Sequence, residues 1–125
     1  GAKEIISLVF GMLEKQYRLT KSLDIDTIFK KGRVLNHPLF YIKFLSNDLS
    51  HPRFAFIVGV KLFKKAVKRN RVKRLMREAI RLNMDKINKS IDIVIGAKSP
   101  NLYDMSCKDI EKELMELFKK GGLLK

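Results

Sequence analysis

Tryptophan is absent from the chain and cysteine occurs once, at Cys107. One thiol cannot close an intrachain disulfide, so the fold must rest on its core, and a cytoplasmic setting is the expectation. Long apolar runs are missing as well. The block IISLVFGML at 5–13 is nine residues long, against the roughly 20 that a bilayer span needs, which excludes a transmembrane helix there, and no membrane-embedded partner is expected. EKQYR follows it where a cleavable signal would carry small residues. Ile5, Leu8, Val9 and Met12 share a helical face, so this block reads as a short amphipathic helix. Gly1 and Ala2 read as a processing or cloning remnant. The expected division is an N-terminal extension over 1–16 and one domain over 17–125.

Catalytic groupings are also lacking. No nucleophile elbow, glycine-rich phosphate loop or paired-carboxylate motif is visible. His37 and His51 each precede a proline, with no Cys or His at ligand spacing, and read as turn residues rather than metal ligands. A self-sufficient enzyme would need residues that this chain does not display.

Acidic residues are scarce: 13 Asp and Glu stand against 27 Lys and Arg, a net charge of +14. Such an excess opposes compaction, and a polyanionic partner accounts for it, nucleic acid first and an anionic membrane surface second. With 46% hydrophobic and 32% charged residues over 125 positions, the composition is that of one globular domain.

The periodicity predicts α+β, a small mixed sheet with packed helices in the order α-β-β-α-β-α. SLDIDTIFKK at 22–31 carries Ile25, Ile28 and Phe29 at helical spacing, with Ser22 as N-cap and Gly32 as stop. LFYIKFLS at 39–46 and RFAFIVGV at 53–60 follow His-Pro pairs and read as strands joined in a hairpin through SNDLS. A helix follows over 64–84. IDIVIGAK at 91–98 alternates as a third strand. The last helix opens at Ser106, with Asp109 three residues on, and stops at Gly121-Gly122. Phe40, Phe44, Phe54 and Phe56 alternate on strands and are assigned to the core.

The central helix is the most informative stretch. At about 100° per residue, Asn70, Arg74, Arg77 and Arg81 form one ridge, while Val72, Leu75, Met76 and Ala79 lie opposite. Between Lys61 and Arg81 stand ten basic residues and one acid, Glu78. A solvated helix face ordinarily mixes signs, because like charges four apart weaken a helix by a few tenths of a kcal/mol per pair. A single-sign face points to phosphate binding, for which the arginine fork is suited, and Lys68, Arg69, Arg71 and Lys73 add charge around the first turns.

KRNRVKRLMRE at 68–78 resembles the basic signature of the bacterial ribonuclease P protein subunit, Arg-Asn-x-x-Lys-Arg-x-x-Arg-Glu, met here by Arg69, Asn70, Lys73, Arg74, Arg77 and Glu78. The likeness runs from Arg18-Leu19 through Phe29, Gly32, the Phe40 strand, Ala66-Val67 and Asp92-Ile93-Val94 to the final leucine-rich helix at Phe118. It implies a subunit that assists a catalytic RNA in removing the 5′ leader of precursor tRNA. Its partners would be the ribonuclease P RNA and that leader, with no obligate protein partner and Mg²⁺ held mainly by the RNA. The resemblance implies no catalytic residue in the protein. It places the RNA subunit on Lys64, Lys65, Lys68, Arg69, Asn70, Arg71, Lys73, Arg74, Arg77 and Arg81. The single-stranded leader is expected in a cleft with Arg18, Ile25, Phe29, Tyr41, Lys43 and Lys61. Stacking platforms and buried aromatics look alike in sequence, so Phe29 and Tyr41 stand open between the two roles.

This chain departs from the common pattern at Ile25, where many relatives are aromatic, and at Lys43, where some have Tyr. The family's left-handed βαβ crossover is expected by resemblance, whereas spacing alone gives a right-handed one. Two rivals share the charge. A ribosomal or other structural RNA-binding protein would lack the leader cleft. A DNA-binding module would place 64–84 in a major groove, but it would lack the usual helix pairing.

Overall fold

A computed structural model describes residues 15–125; the expected helix at Ile5, Leu8, Val9 and Met12 lies outside them. The regular elements are α1 (Ser22–Lys31), β1 (Arg33–Asn36), β2 (Phe40–Ser46), β3 (Arg53–Ile57), α2 (Ala66–Leu82), β4 (Ile91–Ala97) and α3 (Cys107–Lys120). Short 3-10 turns occupy Lys15–Tyr17, Met84–Lys86 and Pro100–Asp104. The class is α+β, as expected, with one strand more than the sequence pattern indicated.

The helix signals hold unevenly. Ser106 Oγ accepts the Asp109 N–H at 3.1 Å and starts α3 as expected. Ser22, by contrast, is the first residue of α1 rather than its cap; Lys21 takes that position without a side-chain hydrogen bond. Gly32 does end α1, its N–H donating to Ile28 O at 2.8 Å. A Cβ there would stand 2.4 Å from Ile28 O and 2.9 Å from Phe44 O, so the helix end can lie this close to β2 only without a side chain.

The expected β2–β3 hairpin does not form. The sheet order is β1-β2-β4-β3. β4 is antiparallel to β2, with Ile42 opposite Ile95, and parallel to β3, with Phe54 opposite Ile93. The reason is burial: every residue of β4 from Ile91 to Gly96 is buried, which only a central strand covered on both faces satisfies. β2 instead makes its hairpin with the unforeseen β1, Leu35 opposite Ile42. RVLN is too short and too exposed to show a period. α2 is the crossover between the parallel neighbours β3 and β4.

The two sheet faces are clad unequally. On one, Phe40, Ile42, Phe44, Phe54, Ile93 and Ile95 pack with Val72, Met76, Ala79 and Ile80 of α2 and with Ile110, Leu114 and Phe118 of α3. On the other, among the described residues, α1 alone sets Ile28 against Ala55 and Val94, with Leu19 beside them. Phe40, Phe44 and Phe54 are core residues as expected, and Phe56 is half-buried against the same cluster.

One polar knot ties the second face together. Asp92 on β4 is buried and accepts from Arg53 Nε at 2.9 Å, Arg53 Nη2 at 2.7 Å and Asn47 Nδ2 at 2.7 Å. Arg53 reaches on to Asp24 of α1 at 3.5 Å. Asp92→Ala strands a half-buried guanidinium and an amide, and should cost about 3 kcal/mol. Urea unfolding should show a lower midpoint at unchanged slope.

Candidate nucleic-acid interface

The apolar stripe of α2 sets which cations face out. Val72, Met76, Ala79 and Ile80 are buried, which turns Asn70 and Arg74 into solvent and leaves Lys73 and Arg77 at the margin. Leu75 is half-buried against the core. Asn83 stops the helix, its buried Nδ2 donating to Ala79 O at 2.8 Å. Lys64 and Lys65 are exposed in the turn before it.

Three of the expected RNA-binding arginines are engaged within the protein. Arg69 Nη1 donates to Phe63 O at 2.9 Å and Lys64 O at 2.7 Å, so it staples the turn that precedes α2. Arg71 Nε donates to Tyr103 O at 3.1 Å. Arg81 departs from the ridge geometry: it is half-buried and paired with Glu78, which holds its guanidinium above the ordinary value by hydrogen bonding. The ridge therefore ends a turn early, because an acid three residues back captures its last cation. Among the described residues, no carboxylate pairs with Lys73, Arg74 or Arg77.

A groove of about 420 Å³ runs beside the β3 edge, lined among others by Arg18, Thr20, Ile25, Phe56, Lys73 and Arg77. None of its lining residues among those described is acidic. Burial lowers the Arg77 pKa, and the neighbouring charges of Arg18 and Arg74 lower it further. A cation held among cations, with partial burial, is a site in which an anion relieves an existing strain of charge.

Ile25, one turn before Phe29 on α1, lines this groove. Phe29, at the end of α1, is 37% exposed, and Lys43 Nζ stands 4.6 Å from its ring centroid and 3.5 Å from its carbonyl oxygen. Tyr41 lies flat over Gly96, its cross-strand partner, where a Cβ would fall 1.9 Å from Tyr41 Cζ. Val34, opposite Lys43 on β1, is exposed on the same face. The expected cleft residues thus fall in two groups, Phe29 of α1 with Tyr41 and Lys43 of β2, and Arg18 with Ile25 in the groove. Lys61 stands apart, exposed in the turn after β3.

Sequence reasoning missed Tyr103. It sits in the 3-10 turn after β4, yet its ring meets Lys68 and Arg71 of α2. No periodic signal marks a single aromatic in a turn. The histidines are turn residues as expected: His37 Nδ1 accepts the Leu39 N–H at 3.0 Å and Nε2 faces Glu113 at 3.2 Å, while His51 packs edge-on against Tyr17.

Comparison with known proteins places these features in company. The ribonuclease P family model matches residues 13–122. The ribonuclease P protein component of Fusobacterium nucleatum is 41% identical over 109 residues, covering 85% of this chain and 97% of that protein. That of Alkaliphilus metalliredigens is 38% identical over 112 residues, covering 90% and 99%. Among solved structures, the Staphylococcus aureus RNase P protein superposes with a TM-score of 0.77 at 29% identity, covering 87% of this chain and 98% of that one. The Thermotoga maritima RNase P protein gives 0.74 at 31% identity, covering 82% and 96%.

Burial raises the Tyr41 phenol above its ordinary value of 10.0. A raised folded-state pKa gives stability that is complete below the unfolded value and is lost as pH climbs through the folded one. Thermal unfolding of the wild type should therefore decline more steeply above pH 10.0 than that of Tyr41→Phe.

Proposed function

The chain belongs to the ribonuclease P protein family, the protein component of the ribonucleoprotein that matures tRNA 5′ ends, and on that footing we propose a division of labour between its two surfaces. The α2 face clamps the RNA subunit. The open sheet face and the adjoining groove hold the 5′ leader of precursor tRNA. The observation that carries this reading is the set Lys73, Arg74 and Arg77, which no carboxylate among the described residues neutralises, with Lys73 and Arg77 lining the groove beside β3.

The physics of each surface follows. Arginine forks grip phosphate oxygens in pairs, and the position of Arg74 in solvent leaves its fork open to them. Arg77 at the groove margin reaches toward both surfaces, so one phosphate run can pass from the helix to the cleft. A leader read without sequence preference needs a π-surface beside positive charge. Phe29 with Lys43 over its ring supplies both, and Tyr41 on Gly96 adds a flat neighbour.

The protein supplies grip and orientation rather than chemistry. The Mg²⁺ of the reaction is assigned mainly to the RNA subunit, in keeping with membership of the family; among the described residues no group of three or more His, Cys, Asp or Glu could hold a metal ion. The proposed place of action is the cytoplasm, in keeping with membership of the family.

Added to a ribonuclease P RNA at low Mg²⁺, the protein should restore cleavage of precursor tRNA; unchanged RNA activity would overturn the proposal. Arg74→Ala and Arg77→Ala should each weaken binding to the RNA subunit by about tenfold, read by filter binding at fixed salt. Phe29→Ala should weaken affinity for leader-bearing substrate by about tenfold and spare mature tRNA. Equal losses on both would remove Phe29 from the leader site.

A further inference from the structure

The turn that follows β4 carries an aromatic ring to the basic helix. Lys68 Nζ stands 5.0 Å from the Tyr103 ring centroid and the Arg71 guanidinium carbon 5.2 Å from it. Phe63 backs the ring at 6.1 Å between centroids. Arg71 Nε is also taken by the Tyr103 carbonyl at 3.1 Å. Lys68 and Arg71 are three residues apart on one helix face, where like charges repel. Among the described residues neither is paired with a carboxylate.

We propose that Tyr103 is a positioning residue for RNA binding, an aromatic post on the Pro100–Asp104 turn that holds Lys68 and Arg71 ready for one stretch of the RNA subunit's phosphate backbone. This rests on the reading that α2 meets that RNA.

Two features of the geometry carry it. The ring's π-surface attracts both cations, so both are held to one side chain although they repel each other. The backbone carbonyl occupies Nε of Arg71, so the two terminal nitrogens, the edge that forks onto a phosphate, remain for a ligand. Both side chains are thereby partly ordered before binding, which reduces the entropy lost when the RNA arrives. Tyr103 extends the surface beyond α2 onto a segment about 30 residues further along the chain.

The test uses the full chain and a ribonuclease P RNA, with affinity measured across a salt series. Tyr103→Ala should weaken binding by about five- to tenfold and reduce the salt slope by about one, whereas Tyr103→Phe, which keeps the ring, should bind like the wild type. In a Lys68→Ala, Arg71→Ala background, Tyr103→Ala should add less than about twofold, because the groups through which it acts are gone. The same loss in that background would mark a purely structural residue and overturn the proposal. If the alanine variant fails to fold, Tyr103→Leu keeps an apolar side chain without a π-face and should show the same loss; wild-type affinity from it would equally overturn the proposal. A wild-type chain that does not bind the RNA would fail the underlying reading, whereas a wild type that binds with Tyr103→Ala unchanged would fail this inference alone.

Discussion

Burial of one apolar stripe governs the rest of the molecule. Val72, Met76, Ala79 and Ile80 are buried on the sheet side of α2. Each larger side chain among them is worth about 1.5–3 kcal/mol of transfer from water. Rotating α2 by one residue would expose part of that stripe. The repulsion within its cationic face amounts to only a few tenths of a kcal/mol per pair. The hydrophobic term therefore decides the rotation of the helix, and the direction of the arginines follows from it.

Unequal cladding of the sheet decides where a second surface can exist. Among the described residues, two helices cover one face and α1 alone covers the other. Gly32 ends α1 against the β2 backbone, so the helix does not extend over Tyr41 and Lys43. The Arg53–Asp92 knot, with Asp24 reaching in from α1, anchors the opposite end of the same helix. Between these two restraints the helix is held to one side of the sheet. Phe29 and Lys43 meet beside it, and Ile25, one turn before Phe29, lines the groove at the β3 edge.

The surplus positive charge is not of one kind. Arg53, Arg69 and Arg81 serve the fold, through Asp92, through the carbonyls of Phe63 and Lys64, and through Glu78. Among the described residues Lys73, Arg74 and Arg77 have no such carboxylate, and burial first, then the like charges of Arg18 and Arg74, lowers the Arg77 pKa. Lys68 and Arg71 are intermediate, held by a ring that orders them without cancelling their charge. Only a surface assembled in this way keeps its attraction for phosphate after the protein has folded.

Local periodicity was enough to read α2 and its opposed faces, the Ser106 cap, the Gly32 stop and the α+β class, because each depends on residues within a few positions of one another. The family signature in 68–78 likewise lies along one helix. The pairing of β2 was not legible: RVLN is too short to display a period, and the preference for β4 at the centre arises from covering both of its faces, a property of the assembled sheet. Nor could spacing show that Glu78 captures Arg81, that Tyr41 lies on Gly96, or that Tyr103 meets Lys68 and Arg71. The sequence by itself determined which elements form, which face of each is apolar, and that the excess charge seeks a polyanion. Only the tertiary structure decided which cations remain available to that polyanion and which aromatics stand beside them, because those outcomes depend on contacts between segments far apart in the chain.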